Sequence, residues 1–202
     1  MPHKIKPLPF DKDLIGISKK TLEIHHGKLY AGYVNKRNEV EEKIKTADMT
    51  QANATYSEFG ELKRQETFAA DAMVLHERYF KNLSGPLTIS GQAAIPEGKI
   101  SEQIKKDFGT YENWEQEFKA AGLASRGWVV LAYDFNDGQL RNYSCDVHNV
   151  GGIWGSAPLV VLDVYEHAYF IDYGSDRKKY IDDYFKNLNW AEADALFQKL
   201  VK

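Results

Sequence analysis

A chain of 202 residues, 43% of them hydrophobic, has material for one domain or two small ones with a sizeable core. Its net charge of −3 and pI near 6.1 exclude a global electrostatic case for nucleic acid or anionic membrane as partner, leaving small anions to be steered locally. The single cysteine, Cys145, excludes an internal disulfide framework and a cysteine-based zinc cluster, and reads as a small buried hydrophobe.

The opening MPHKIKPLPFDKDL lacks the long apolar core of a secretory signal. No run of about eighteen apolar residues suggests a membrane span, so the expected compartment is the cytoplasm. Ser18 is placed to cap a long helix running to about Thr46, with Leu22, His25, Leu29, Tyr33 and Val40 on its apolar face. A second helix is expected from Ser57 to Asn82, with Phe59, Leu62, Ala69, Ala72, Met73, His76, Phe80 and Leu83 inward. The two form an antiparallel hairpin, each carrying one histidine on its apolar stripe.

Gly85-Pro86 cannot continue a helix, which sets a boundary between an N-terminal hairpin domain, 1–87, and a C-terminal domain, 88–202. Two shorter helices follow, over 101–108 and 111–123, the second capped by Thr110. GWVVLAYDFNDGQLRNYSCD reads as a β-hairpin around an Asn-Asp-Gly turn, and PLVVLDV as a third, buried strand. The tail from Asp176 to Lys202 is helical in pattern. The expected fold class is α+β: a helical hairpin, then a small three-stranded antiparallel sheet flanked by helices.

The stretch VVLDVYEHAYF ends an apolar run on Asp163 and places His167 four residues on. An unpaired buried carboxylate costs several kcal/mol, so Asp163 must reach water or meet a cation, and His167 is placed to meet the same one. Singly, each histidine has an ordinary explanation as a hydrogen-bonded core residue. Together, three imidazoles and a carboxylate suit iron, manganese or zinc, whereas calcium or magnesium demands more oxygen. The spacing is dispersed, and neither an H-E-x-x-H nor an H-x-D/E signature is present.

DVYEHAYFIDY resembles the DxWEHAYY signature of the iron/manganese superoxide dismutases. PLPFDKDL…ISKKTLEIHHGKLYAGYV is similar to that family's opening, LHERYFKNLSG to its second ligand segment, ASRGWVVL to its Gly-Trp segment, and YIDDYFKNLNW to its C-terminal helix. The resemblance implies one iron or manganese ion held by His25, His76, Asp163 and His167, cycling between two oxidation states as superoxide becomes dioxygen and hydrogen peroxide. It further implies Tyr33 as gateway tyrosine, Trp128 as pocket wall and Arg177 as anion guide. His148, fifteen residues before Asp163, resembles members with a histidine in place of the outer-sphere glutamine, which others supply from the second helix at the position of the apolar Ala72. His26, where the family often has tyrosine, is read as an outer-shell residue.

Three positions depart from the family pattern. The second histidine after the ligand is Leu29, and the tyrosine three residues after the last ligand is Phe170; in relatives these hydrogen-bond across the subunit interface. Both are apolar here, so neither orphans a polar partner. The tryptophan of DxWEH is Tyr165, while Glu166, which the family uses to bridge to the opposite subunit's ligand histidine, is retained. A homodimer involving Glu166 and His167 is expected, with a tetramer as the larger alternative. The rival readings are a metal-binding protein on this fold with weak or lost turnover, and a zinc hydrolase, which lacks a general base.

Overall fold

Ser18 caps the first helix as expected, its hydroxyl accepting from the Thr21 backbone N–H at 3.2 Å. In the computed structural model, which describes residues 1–83 and 95–202, the chain then stays helical to Ile44 but in three pieces. These are α1 (Lys19–Ile24), a π-helical turn (His25–Tyr30) and α2 (Ala31–Ile44). The uninterrupted α-helix expected to Thr46 is thus corrected.

The π turn has a geometric consequence. Tyr33 lies eight residues after His25, and at about 100° per residue an α-helix would leave the two about 80° apart. A π turn absorbs one extra residue, which brings them to within about 20° of one face. Tyr30, Val34 and Val40 are accordingly buried, whereas Leu29, expected on the inward stripe, is only half-buried.

Helix α3 (Glu58–Asn82) begins at its expected cap, with Ser57 Oγ accepting from the Gly60 N–H at 3.1 Å. Leu62, Ala69, Ala72, Met73, His76 and Phe80 are buried as the periodicity requires, and Leu75 and Tyr79 join them. Phe59, at the first turn, is half-buried. Helices α2 and α3 pack against each other. The expected division at 87/88, with Gly85-Pro86, lies outside the described residues.

The C-terminal half opens with α4 (Gly98–Phe108) and α5 (Tyr111–Ala124), the latter capped by Thr110. Strands β1 (Trp128–Asp134), β2 (Gln139–Cys145) and β3 (Ser156–Asp163) form an antiparallel sheet in the order β2-β1-β3. Gly138 closes the expected hairpin turn at φ 70°, a conformation that favours glycine. Gly127 has a different reason: a Cβ there would meet the Cys145 carbonyl at 2.9 Å and the Tyr165 ring at 3.1 Å. The close approach holds the start of β1 against the loop beyond β3. Trp128 thereby sits opposite both Cys145 and Asp163.

After β3 come a short 3₁₀ turn (Glu166–Ala168), α6 (Phe170–Tyr173), α7 (Arg177–Phe185) and α8 (Trp190–Leu200). The tail is helical as expected but broken between 186 and 189, where Asn189 caps α8 by accepting from the Glu192 N–H at 3.2 Å. Trp114, Phe118, Trp128, Tyr180, Tyr184 and Phe185 are fully buried in the core.

Asn82 is one of the side chains that join the two halves. The outer edge of β3 has no strand neighbour among the described residues, yet Asn82 completes it: its amide donates to the Leu159 carbonyl at 3.0 Å and accepts from the Val161 N–H at 2.9 Å. Asn82→Ala leaves both buried backbone groups unpaired and should cost about 2–5 kcal/mol, read by denaturant titration of the metal-free protein. Wild-type stability would show that the edge is satisfied otherwise.

Candidate metal centre

Asp163 ends β3 with its side chain fully buried, and three imidazoles from three other parts of the fold converge on one of its oxygens. His25 Nε2 lies 3.0 Å from Asp163 Oδ2, His167 Nε2 3.1 Å and His76 Nε2 3.8 Å. The four ligand atoms lie within 4.8 Å of one another. His25 comes from the π turn, His76 from α3, Asp163 from the sheet and His167 from the 3₁₀ turn, so the centre exists only when both halves are packed together.

Each group is fixed from behind. The other Asp163 oxygen accepts from the Tyr165 N–H at 2.9 Å, and its main-chain carbonyl accepts from the Tyr180 hydroxyl at 2.8 Å. His76 Nδ1 donates to the Ala72 carbonyl, four residues back on α3, at 2.6 Å. That bond fixes the tautomer, because a carbonyl only accepts, and it leaves the lone pair on His76 Nε2. This nitrogen is buried and has no hydrogen-bond partner among the described residues.

The electrostatics point the same way. Burial pushes His76 down to about 3, aided by neighbouring His25, so its ring is neutral. Burial also lowers His25, against the opposing hydrogen bond and charge of Asp163. Burial alone would raise Asp163, but the charge and hydrogen bond of His167 and the hydrogen bond of His25 hold it well below the usual carboxylate range. His167 is raised, since the Asp163 charge and hydrogen bond outweigh its own burial. A buried carboxylate facing an unused imidazole lone pair needs a cation between them. The residues fit a divalent or trivalent ion with mixed nitrogen and oxygen preference.

Around these four lies a shell of aromatics. The Tyr33 ring is 5.3 Å from His76 and 4.7 Å from His148, and Trp128 is 4.9 Å from His76. Trp128 Nε1, a donor only, gives its proton to His148 Nδ1 at 2.9 Å. His148 is pushed down to about 4 by burial, so it is neutral and carries its proton on Nε2. Tyr33, His148 and Trp128 therefore converge on the cluster. Arg177 does not touch the four: its guanidinium donates to Tyr169 Oη at 3.2 Å and to the Ser125 carbonyl at 2.9 Å. A groove of about 390 Å³ reaches His148 from the side of Asp71, Cys145 and Trp154 and is not lined by any of the four cluster residues.

Sequence reasoning missed several supporting residues. Tyr79 lies against His25 at 5.0 Å and Phe68 against His148 at 4.6 Å, while Tyr180 holds the Asp163 backbone. For Tyr79 a signal existed, since it lies three residues after His76 and thus on the same helix face.

The description "Iron/manganese superoxide dismutases, alpha-hairpin domain" matches residues 2–84, and "Iron/manganese superoxide dismutases, C-terminal domain" matches residues 96–196. The chain is 42% identical to a superoxide dismutase [Fe] of Aquifex pyrophilus, covering 99% of this chain and 94% of that protein. It is 37% identical to superoxide dismutase [Mn] 2 of Haloferax volcanii, over 100% of this chain and 98% of that one. It is 34% identical to a superoxide dismutase [Fe] of Cupriavidus metallidurans over the full length of both.

The geometry makes Asp163 indispensable to the cluster. Asp163→Ala should reduce bound iron or manganese from about one per chain to background, measured by elemental analysis of the purified protein. Full occupancy in that variant would remove Asp163 from the ligand set.

Proposed function

The chain belongs to the iron/manganese superoxide dismutase family, and from that membership we propose how its residues divide the work. The protein is an oxidoreductase that converts superoxide to dioxygen and hydrogen peroxide with one iron or manganese ion. We assign the ion to His25, His76, Asp163 and His167, on the observation that carries the reading: a buried carboxylate and a partnerless imidazole lone pair within one cluster. When bound, the ion supplies one-electron redox chemistry, taking an electron from one superoxide and giving it to the next. Nothing observed favours the reading of a metal-binding protein without turnover.

Peroxide formation consumes protons, and the residues beside the cluster can hold them. Burial raises the Tyr33 phenol, and the Asp163 charge raises it further, so it stays protonated at neutral pH and can donate without ionising first. His148 offers the proton on Nε2, and Trp128 keeps that tautomer in place. Arg177, stacked 5.8 Å over Tyr169, is a fixed positive charge that would steer a small anion in a protein of negative net charge.

The dimer belongs to the same proposal. Glu166 is exposed and its carboxylate has no partner among the described residues, while Phe170 and Ile171 beside it are 53% and 45% exposed. A carboxylate flanked by apolar side chains suits a self-complementary contact through Glu166 and His167. The division into 1–87 and 88–202 is supported by the separate matches to 2–84 and 96–196. A cytoplasmic compartment rests on the one unpaired, buried Cys145, which suits reducing conditions. No helix among the described residues is long and apolar enough to cross a membrane.

Two measurements test this reading. His148→Gln should retain metal and most turnover, whereas His148→Ala should retain metal but lose about 10- to 100-fold in activity, with a shifted potential. Unchanged potential and activity in both would exclude His148 from the reaction. Light scattering should give a dimer that Glu166→Ala weakens; a wild-type monomer at micromolar concentration with full turnover would exclude this interface.

A further inference from the structure

The residues that follow the two helix-borne histidines are tied together through a single N-terminal residue. The His26 ring donates from Nε2 to the Lys6 carbonyl at 2.8 Å. The Tyr30 hydroxyl, at the end of the π turn, accepts from the Lys6 N–H at 3.0 Å and donates to Glu77 Oε1 at 3.0 Å. The Lys6 ammonium pairs with the other Glu77 oxygen. All three polar groups of Lys6 are thus engaged, one beside His25 and one beside His76 in the sequence. Inside this clasp, the His26 and Tyr30 rings lie 5.1 Å and 6.1 Å from Phe80, and Phe80 in turn lies 5.1 Å from His25.

We infer that Lys6, Tyr30 and Glu77 are positioning residues for the metal site, locking the π turn against α3 and so fixing His25 relative to His76. The inference rests on the ligand assignment proposed above. A ligand histidine is ordinarily oriented by a hydrogen bond from its second ring nitrogen. His76 has one, to Ala72, but His25 does not: its Nδ1 is buried without a partner among the described residues. The aim of His25 is therefore left to its backbone and its ring contacts. That backbone is a π turn, whose longer hydrogen-bonded rings persist where surrounding structure holds them. The bonds on Tyr30 Oη close the turn at its far end, with Tyr30 itself only 1% exposed. Neither Lys6 nor Glu77 touches the cluster, and Tyr30 meets it only through its ring, stacked 6.4 Å from His76, so their effect reaches the ion through geometry alone.

The test uses the full chain loaded with manganese and two readouts besides activity: the rate at which excess EDTA strips the ion, and the difference in unfolding temperature between loaded and metal-free protein. Tyr30→Phe and Glu77→Ala should strip about tenfold faster and narrow that difference. Glu77→Gln, which still accepts from Tyr30, should keep most of the wild-type value. Lys6→Met, at a side chain 62% exposed, tests the clasp should Tyr30→Phe fail to fold. Wild-type stripping rates in variants whose loaded and metal-free forms lose equal stability would overturn the inference, because the clasp would then serve the fold alone. Wild type and Asp163→Ala run alongside: a wild type that binds no ion, or an Asp163→Ala that binds it fully, would instead overturn the ligand assignment.

Discussion

The arrangement of this molecule turns on a carboxylate placed where no water reaches it. Asp163 is fully buried, and desolvation on that scale is offset by partners or not at all. In the protein alone it is met by hydrogen bonds from His25, His167 and the Tyr165 N–H. His76 presents a lone pair to the same space, which a hydrogen-bonded cluster leaves unused but a cation satisfies. Under the proposed assignment, an ion there would be as much the partner that buries Asp163 as the reagent. Four segments must be in place before the cluster forms, which would couple metal affinity to the folding of both halves.

The helical hairpin is shaped by the same requirement. A straight α-helix through residues 19–44 cannot aim both His25 and Tyr33 at one centre, because their spacing leaves them on different faces. The π turn between them restores a common face at the expense of regular hydrogen bonding. It also places Tyr30 where its hydroxyl reaches Lys6 and Glu77. The distortion, the placement of Tyr33 and the contacts of Lys6 are thus three aspects of one local geometry.

Outside the ligands, the site is built from rings rather than charges. Tyr33, His148, Trp128 and Tyr165 lie within ring-contact distance of His76 or His167, and Phe68 packs behind them on His148. Tyr165, where the family signature has tryptophan, stacks on His167 at 5.3 Å and 14°, so the smaller ring still makes a face-to-face contact.

The sequence by itself determined the residue types of the candidate site, the caps and the strand pattern. Ser18, Ser57 and Thr110 start helices because a side-chain oxygen beside an exposed N–H is a local interaction, and β3 reads as buried because its apolar run is continuous. It also supplied a motif set similar to a known family, which singled out the four residues that the fold brings together in one cluster. Tertiary structure alone decided that the first helix contains a π turn, that Leu29 faces partly outward, and that the Tyr180 hydroxyl and the Asn82 amide secure β3 from outside the sheet. Periodicity cannot register these features, because each arises between segments far apart in the chain. A helix yields its regular geometry, and a polar group finds its partner, only where packing has brought the two together.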